Sequence, residues 1–305
     1  MTSGKDIPAA QESIAASLDR AAACLRRHVE HPHRSEPLGL LLNRSTVTTP
    51  LVYTKYAPSL SVVLSGRKRV IVGDDDTPWG RERFLITPVD LPVFGSVIAL
   101  GEEGDFLSAT WRLDPMVIAE VASRLPRRAS DAPPERLGTM TPQLAEAIDR
   151  LFRLLDTPEE QPVLVPLLER EITLRLLQTD QAARVLAAAD SARADIVASA
   201  AKALSSDLSG PWTLNRLAEA AGTSPATLTR RFRQVTGMTP MQYLKRLRLG
   251  EARRRLLVLD DSASRAAAMV GYASAAHFSR DYRAAYEVTP TEDAHEWRRR
   301  TRASS

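Results

Sequence analysis

One arrangement occurs twice in the last third of the chain, and it restricts the fold more than anything else in the sequence. In Trp212–Val235, Leu214, Leu217, Ala218 and Ala221 make one face of a short helix. Gly222 follows, then Ser224 and Pro225. The glycine supplies the positive φ that a tight turn between helices needs. Serine at the N-cap and proline in the first turn then start a new helix. That helix turns Leu228 and Phe232 inward at i, i+4 spacing and leaves Ala226, Thr227, Thr229, Arg230 and Arg233 outside. Ser262–Ala285 repeats the order, with Ala266, Ala267 and Val270 inside, Gly271 at the turn and Ser274 as cap. Phe278 and Tyr282 are its inward pair; Ala275, Ala276, His277, Arg280 and Arg283 face outward. The segment between, Pro240–Leu259, carries Tyr243, Leu244, Leu247, Ala252 and Leu256 at helical spacing. A helix of that extent is about 30 Å long at ~1.5 Å per residue, close to the ~34 Å turn of B-DNA. Two helix-turn-helix units held so far apart suit successive major grooves.

The charge distribution agrees. The chain of 305 residues has a net charge of only +4, but residues 191–305 hold 19 Lys and Arg against 11 Asp and Glu, a net of +8. The remainder then has 22 basic and 26 acidic residues, a net of −4, so a polyanionic partner is expected for the back of the chain alone. A single cysteine, Cys24, permits no internal disulfide. The opening residues lack a charged stretch followed by an apolar one, and no apolar run approaches a bilayer's thickness. A cytoplasmic protein without membrane segments is expected.

The front of the chain reads differently. Ile7–Val29 is a helix with Ile14, Leu18, Ala21, Ala22 and Leu25 on one stripe, followed by a polar, proline-punctuated break over Glu30–Pro37. From Leu38 to Leu113, about eight short β-rich runs are separated by turn clusters such as Gly73–Asp76 and Gly101–Asp105, the pattern of a small barrel or sandwich. Helices return at Pro115–Leu125, Thr141–Leu155 and Val163–Leu177, the last striped by Leu164, Leu167, Leu168, Ile172 and Leu176. A loop is expected over Pro126–Pro134 and a linker over Ala187–Arg193. The striped helices either cap the barrel or pair with a second subunit.

The run TLNRLAEAAGTSPATLTRRFRQVTGMTPMQYLKRLRLGEARRRLL and its continuation VGYASAAHFSRDYRAAYEVTP resemble the DNA-binding domain of the AraC/XylS transcription regulators, over roughly Ala192–Arg302. The front resembles the N-terminal domain of one AraC-like subfamily, on YAPSLSVVLSGRKRVIVGDDD, FLITPVDLPV and LSATWRLDPMVIAEV, over roughly Leu38–Leu125. These resemblances imply an α+β protein: an N-terminal cupin-like small β-barrel with flanking helices, then an all-α C-terminal domain of two helix-turn-helix units joined by a long helix. The expected divisions are an N-terminal helix and arm over 1–37, a regulatory domain with dimerisation-type helices over 38–186, and the DNA-binding domain over 192–302.

By position in the motif, base contacts are implied for Ala226, Thr229, Arg230 and Arg233 in the first unit and Ala275, Ala276, His277 and Arg280 in the second. Thr227 and Arg283 share those outer faces, and Thr213, Lys245 and Arg246 are candidates for phosphate contacts. The second unit departs from the family at Ala266, at Ala275 and Ala276, and at Glu287, where glycine is common. The first unit is therefore expected to read more sequence.

Double-stranded DNA is the implied partner of a homodimer, with RNA polymerase and a small-molecule effector as further candidates. For the barrel, Val62, Leu64, Ile71, Phe84, Ile86 and Val97 are expected to point inward. Tyr53, Tyr56, Trp79, Asp90 and Trp111 are candidates to line or close an effector pocket. No cofactor, metal site or catalytic residue is expected. Residues 38–125 contain no histidine and no cysteine, which removes the ligands of a metal cupin and a thiol nucleophile. His28, His31 and His33 sit by a polar loop and are expected to be solvent-exposed. Two alternatives remain: a regulator with no effector, governed by abundance or a protein partner, and a cupin-type enzyme carrying a DNA-binding tail.

Overall fold

The computed structural model describes residues 6–72, 75–126, 136–191 and 196–303, and their architecture is α+β. Helix α1 (Asp6–His28) and the short α2 (Pro32–Ser35) precede eight strands. These are β1 (Leu40–Ser45), β2 (Val52–Tyr56), β3 (Ser59–Ser65), β4 (Arg67–Val72), β5 (Asp75–Trp79), β6 (Arg83–Thr87), β7 (Leu91–Ala99) and β8 (Phe106–Arg112). Helix α3 (Pro115–Ser123), a last short strand β9 (Leu137–Thr139), α4 (Pro142–Arg153), α5 (Gln161–Leu177) and α6 (Ala182–Ser191) complete the front half. All pairings are antiparallel, in a five-stranded sheet of order β1-β8-β3-β6-β9 and a four-stranded sheet of order β2-β7-β4-β5.

The five-stranded sheet is buried on both faces, which inverts the expected inside and outside. Leu60, Val62, Leu64, Phe84, Ile86, Leu107, Ala109 and Trp111 pack against α1, α4, α5 and α6 in one core. The alternate residues Val63, Leu85 and Phe106 meet Val70, Trp79, Val93 and Val97 of the other sheet. So Val62, Leu64, Phe84 and Ile86 face the helical layer, Ile71 packs with Tyr53 and Phe94 in a third core, and only Val97 of the expected set faces the lumen. The apolar face of an alternating strand goes where the greater apolar area is, and here that is the helices. The lumen-facing positions are partly polar, with Ser61 and Thr87 fully buried and Ser108 and Lys68 7% exposed.

Three other expectations change. Helix α6 runs to Ser191 through the first part of the expected linker, burying Val185, Ala188 and Ala189; an alanine-rich run without glycine or proline favours helix. Ala192 and Arg193 lie outside the described residues, as do Gly73 and Asp74 of the turn cluster and nearly all of the expected loop over Pro126–Pro134. Leu167 is 59% exposed rather than part of the core stripe. His28 ends α1 only 9% exposed, with Nε2 2.7 Å from Asp156 Oδ1. His31 and His33 are exposed as expected.

The back half is helical: α7 (Ile196–Ser206), α8 (Leu214–Ala220), α9 (Pro225–Thr236), α10 (Pro240–Leu257), α11 (Ala263–Met269), α12 (Ala275–Tyr286) and α13 (Pro290–Ala303). Helix α10 lies along β7 of the four-stranded sheet. Tyr243 donates its hydroxyl to Asp90 O at 2.6 Å, and Arg253 Nη1 donates to Leu51 O. Gly250 sits against the Tyr53 ring so closely that a Cβ there would lie 2.1 Å from a ring carbon.

Candidate nucleic-acid interface

Each two-helix unit is set by its caps. In the first, Thr213 caps α8, Gly222 takes φ +65° at the turn, and the Ser224 hydroxyl accepts from Thr227 N at 3.2 Å to start α9. In the second, Ser262 caps α11, Gly271 takes φ +84°, and Ser274 accepts from His277 N at 3.4 Å to start α12. Leu228 and Phe232 anchor α9, and Phe278 and Tyr282 anchor α12; all four are fully buried. Between the units, Thr239 and Gln242 form a capping box at the start of α10. That helix of 18 residues spans about 27 Å.

The outer faces of α9 and α12 differ from the rest of the surface in their arginines. Arg230, Arg233, Arg280 and Arg283 are exposed, and among the described residues none has a carboxylate at ion-pair distance. Elsewhere arginines are typically paired, as Arg26 is with Asp105, Arg153 with Asp149 and Arg253 with Asp293. With no carboxylate in contact among the described residues, although the charge of Arg283 adds to the Thr289 hydrogen bonds that hold the Glu292 carboxyl below its ordinary range, these four guanidinium groups make two cationic ridges. Such a ridge suits a phosphate backbone or the acceptor edge of guanine.

The other candidates divide. Ala226, Ala275 and Ala276 are exposed on the same ridges. Thr229 is half-buried and its hydroxyl donates to Pro225 O at 2.8 Å. Thr227 is engaged by the Ser224 hydroxyl at 2.9 Å, so it serves the cap. His277 is exposed, edge-on to Tyr272 and 3.5 Å from Asp281, which also pairs with Lys245 at 2.7 Å and accepts from Tyr272 at 3.1 Å. Asp281 thereby ties α12 to α10.

Arg246 does not join these faces. Its guanidinium lies 5.4 Å from the Phe94 ring centre and donates to Ile71 O at 3.3 Å, so it docks α10 on the front half. No pattern in the sequence marks Arg136. It is 8% exposed and lies beside Gly237, where a Cβ would come 1.1 Å from its Nη2. Thus a residue of the front half supports the turn that follows α9. The mid-helix Gly250 was the available sign of such close contact between halves.

The effector candidates separate into three places. Trp111 is 3% exposed among the helices, its Nε1 donating to Leu38 O at 3.0 Å, beside a void of only about 10 Å3. Tyr56 and Trp79 flank Lys68, whose Nζ is 3.3 Å from the Tyr56 hydroxyl and 4.8 Å from the Trp79 ring centre. Among the described residues, Trp79 Nε1 has no hydrogen-bond partner. Tyr53 and Asp90 lie where the halves meet, with Asp90 paired to Lys55 at 2.7 Å. Burial raises the Tyr53 phenol well above its ordinary range.

Residues 38–184 match the family described as the N-terminus of AraC-type transcriptional regulators, and residues 217–300 match a helix-turn-helix domain family. Among curated proteins, the chain is similar to the HTH-type transcriptional activator RhaS of Pectobacterium carotovorum, 47% identical over 70 residues, or 23% of this chain and 25% of that one. It is also similar to the HTH-type transcriptional regulator ArgR of Pseudomonas aeruginosa, 33% identical over 95 residues, 31% of this chain and 29% of that one. The chain thus spans about a quarter of the length of the curated relatives it matches. Among solved structures, the fold is similar to that of ToxT from Vibrio cholerae, with a TM-score of 0.50, 12% identity, and coverage of 84% of this chain and 97% of that one. No helix among the described residues is long and apolar enough to cross a membrane.

Proposed function

We propose, from the premise that this chain belongs to the AraC-type transcriptional regulators, that it binds double-stranded DNA sequence-selectively and regulates transcription. Residues 192–302 would make the contact and residues 38–186 would govern it. The observation that carries this reading is the pair of unpaired arginine ridges on α9 and α12, joined by a helix about 27 Å long. Ala226, Thr229, Arg230 and Arg233 read the first half-site, and Ala275, Ala276, His277 and Arg280 the second. Arginine pairs bidentately with guanine, and alanine meets a thymine methyl. Arg283 would meet phosphate, as would Lys245 on exchanging Asp281 for a phosphate oxygen.

Binding-site selection from genomic fragments, followed by fluorescence anisotropy at physiological salt, tests the proposal. The expected result is a preferred site bound at least a hundredfold more tightly than random DNA. Affinity should fall with salt at about 0.9 log units per log unit for each phosphate neutralised. Equal affinity for selected and random DNA overturns it.

Two parts of the reading concern the front half. A homodimer is supported by an apolar ridge in which Val163 and Leu167 of α5 are 68% and 59% exposed, one helical turn apart, and Met116 of the adjoining α3 is 73% exposed. Sedimentation equilibrium of Leu167→Glu, expected monomeric, checks it. An effector in the barrel is supported by Lys68, which is buried with aromatic neighbours and has, among the described residues, no carboxylate at ion-pair distance, beside Trp79 Nε1, which has no hydrogen-bond partner among them. An anionic effector would satisfy both donors. A screen of carboxylates and phosphates for thermal stabilisation that Lys68→Met abolishes is the test. Failure of the whole screen favours a regulator governed by its abundance or a protein partner.

A further inference from the structure

A cluster at the end of α1 lies apart from both the barrel lumen and the helix-turn-helix units. Cys24 and His28 are one helical turn apart on α1, the i, i+4 spacing at which one helix face presents two ligands to a metal ion. Asp156, just beyond the end of α4, closes the group. Among the described residues, Cys24 Sγ, a ring nitrogen of His28 and a carboxylate oxygen of Asp156 lie within 4.8 Å of one another. Cys24 Sγ is 3.7 Å from Asp156 Oδ2, and His28 Nε2 is 2.7 Å from Asp156 Oδ1. Asp156 stands 128 residues from His28, so no local spacing in the sequence joins them.

The donor set and the surroundings define what would bind. One sulfur, one nitrogen and one oxygen suit zinc, which is borderline-soft and tetrahedral, and not magnesium or calcium, which take oxygen ligands. Neighbouring ligand atoms of tetrahedral zinc stand about 3.3–3.6 Å apart. The sulfur and carboxylate are already near that spacing, and the imidazole and carboxylate need part by only about half an ångström. Cys24 and His28 are buried, at 2% and 9% exposure, while the Asp156 side chain is 43% exposed, so an ion enters from the carboxylate side and its fourth position faces water. Two contacts must yield. The Cys24 thiol donates to Phe152 O at 2.9 Å, and Arg27 Nη2 pairs with Asp156 Oδ2 at 2.7 Å. A coordinating thiol is deprotonated outright, its proton passing to solvent, which frees the sulfur from that carbonyl. Arg27 is 54% exposed and has solvent to move into.

We infer that Cys24, His28 and Asp156 form a zinc site with water in the fourth position, which clamps the end of α1 to the end of α4. Both helices pack in the core that covers the five-stranded sheet, so zinc stabilises the front half by mass action. The site is separate from Lys68 and from the arginine ridges, and it rests on neither reading.

The probe is Co2+, titrated into the full chain after removal of metal by a chelator. Cys24 is the only cysteine, so a thiolate-to-cobalt absorption band in the near ultraviolet reports this site alone. The expected result is a band that saturates at one ion per chain, accompanied by the visible absorption of tetrahedral cobalt and removed by Zn2+. At a hundredfold excess over its Kd, Zn2+ should raise Tm by at least about 3 °C, and Mg2+ should not. Cys24→Ala should abolish the band and the Tm shift. Asp156→Asn, at an exposed position that puts folding less at risk, should weaken Co2+ binding at least tenfold. A chain with both His31→Ala and His33→Ala, the exposed histidines nearby, should bind as the unaltered chain does. No thiolate band, binding unchanged by Asp156→Asn, or binding lost with His31 and His33 overturns the inference.

Discussion

Replacing Glu287 by glycine should stabilise the protein. Helices α9 and α12 end alike, each with a left-handed residue whose backbone N–H reaches back to an arginine carbonyl four residues earlier: Gly237 at φ +70° and Glu287 at φ +66°. An L residue in that conformation costs about 1–2 kcal/mol. Glycine avoids this but gives up about 0.5–1 kcal/mol of unfolded-chain entropy. Glu287 is exposed and its side chain makes no hydrogen bond or ion pair among the described residues, so little else is lost. The net expectation for Glu287→Gly is a gain of about 0.5–1 kcal/mol. The reciprocal change has a different size. Gly237→Ala meets the same backbone cost and also places a Cβ 1.1 Å from Arg136 Nη2, a side chain 8% exposed with little room to retreat. A loss of about 2–4 kcal/mol follows. Urea unfolding followed by far-ultraviolet circular dichroism measures both, taking the transition that carries the C-terminal helices if two are resolved. Destabilisation by Glu287→Gly, or a neutral Gly237→Ala, would refute the account of these two caps.

Other expectations follow from buried polar groups. Asp105 is 1% exposed and accepts two hydrogen bonds from Arg26 at 2.9 Å and one from Arg44 at 3.2 Å, tying α1 to the start of β8. The hydrogen bonds from Arg26 hold its carboxyl below the ordinary range. A depressed carboxyl contributes stability above its unfolded pKa of about 3.9 and loses it as pH falls through the lower folded value. Asp105→Asn should cost about 2–3 kcal/mol at pH 7 and flatten the stability profile below about pH 4, as read by urea unfolding across pH. Burial and Asp156 push the Cys24 thiol up to about 12, and its Sγ donates to Phe152 O. Alkylation by iodoacetamide at pH 8 should therefore be at least tenfold slower in the native chain than in urea.

The two helix-turn-helix units were legible because local chemistry writes them. Ser224 and Ser274 cap, Gly222 and Gly271 turn, and Leu228, Phe232, Phe278 and Tyr282 mark the inner faces, all within single helices. Most strand positions were legible for the same reason, but Asp75 and Asp76 of the expected turn cluster lie in β5 and pair with Val72 and Ile71, and β9 falls beyond the expected block. Which face of a strand points where was not legible. Val62 and Phe84 alternate correctly but face helices, because α1 and α4 offer more apolar area than the lumen. Contacts between halves were also hidden. Arg246 reads as a surface cation until Phe94 and the Ile71 carbonyl meet it, and Tyr53 reads as barrel lining until Gly250 lets it approach α10. Such pairs are distant in sequence, with neither member showing a pattern alone.

We propose that the arginine ridges read DNA, the first more than the second. The second ridge offers Ala275 and Ala276 at its start, and its His277 is held toward Asp281. The most direct measurement is the ratio of affinities for the selected site and for random DNA, taken at fixed salt for the unaltered chain, Arg230→Ala and Arg280→Ala. Arg230→Ala is expected to lower this ratio by at least tenfold, a loss of about 1–3 kcal/mol in discrimination, and Arg280→Ala to lower it less. An unchanged ratio in both variants, or a larger fall for Arg280→Ala, would contradict the proposal.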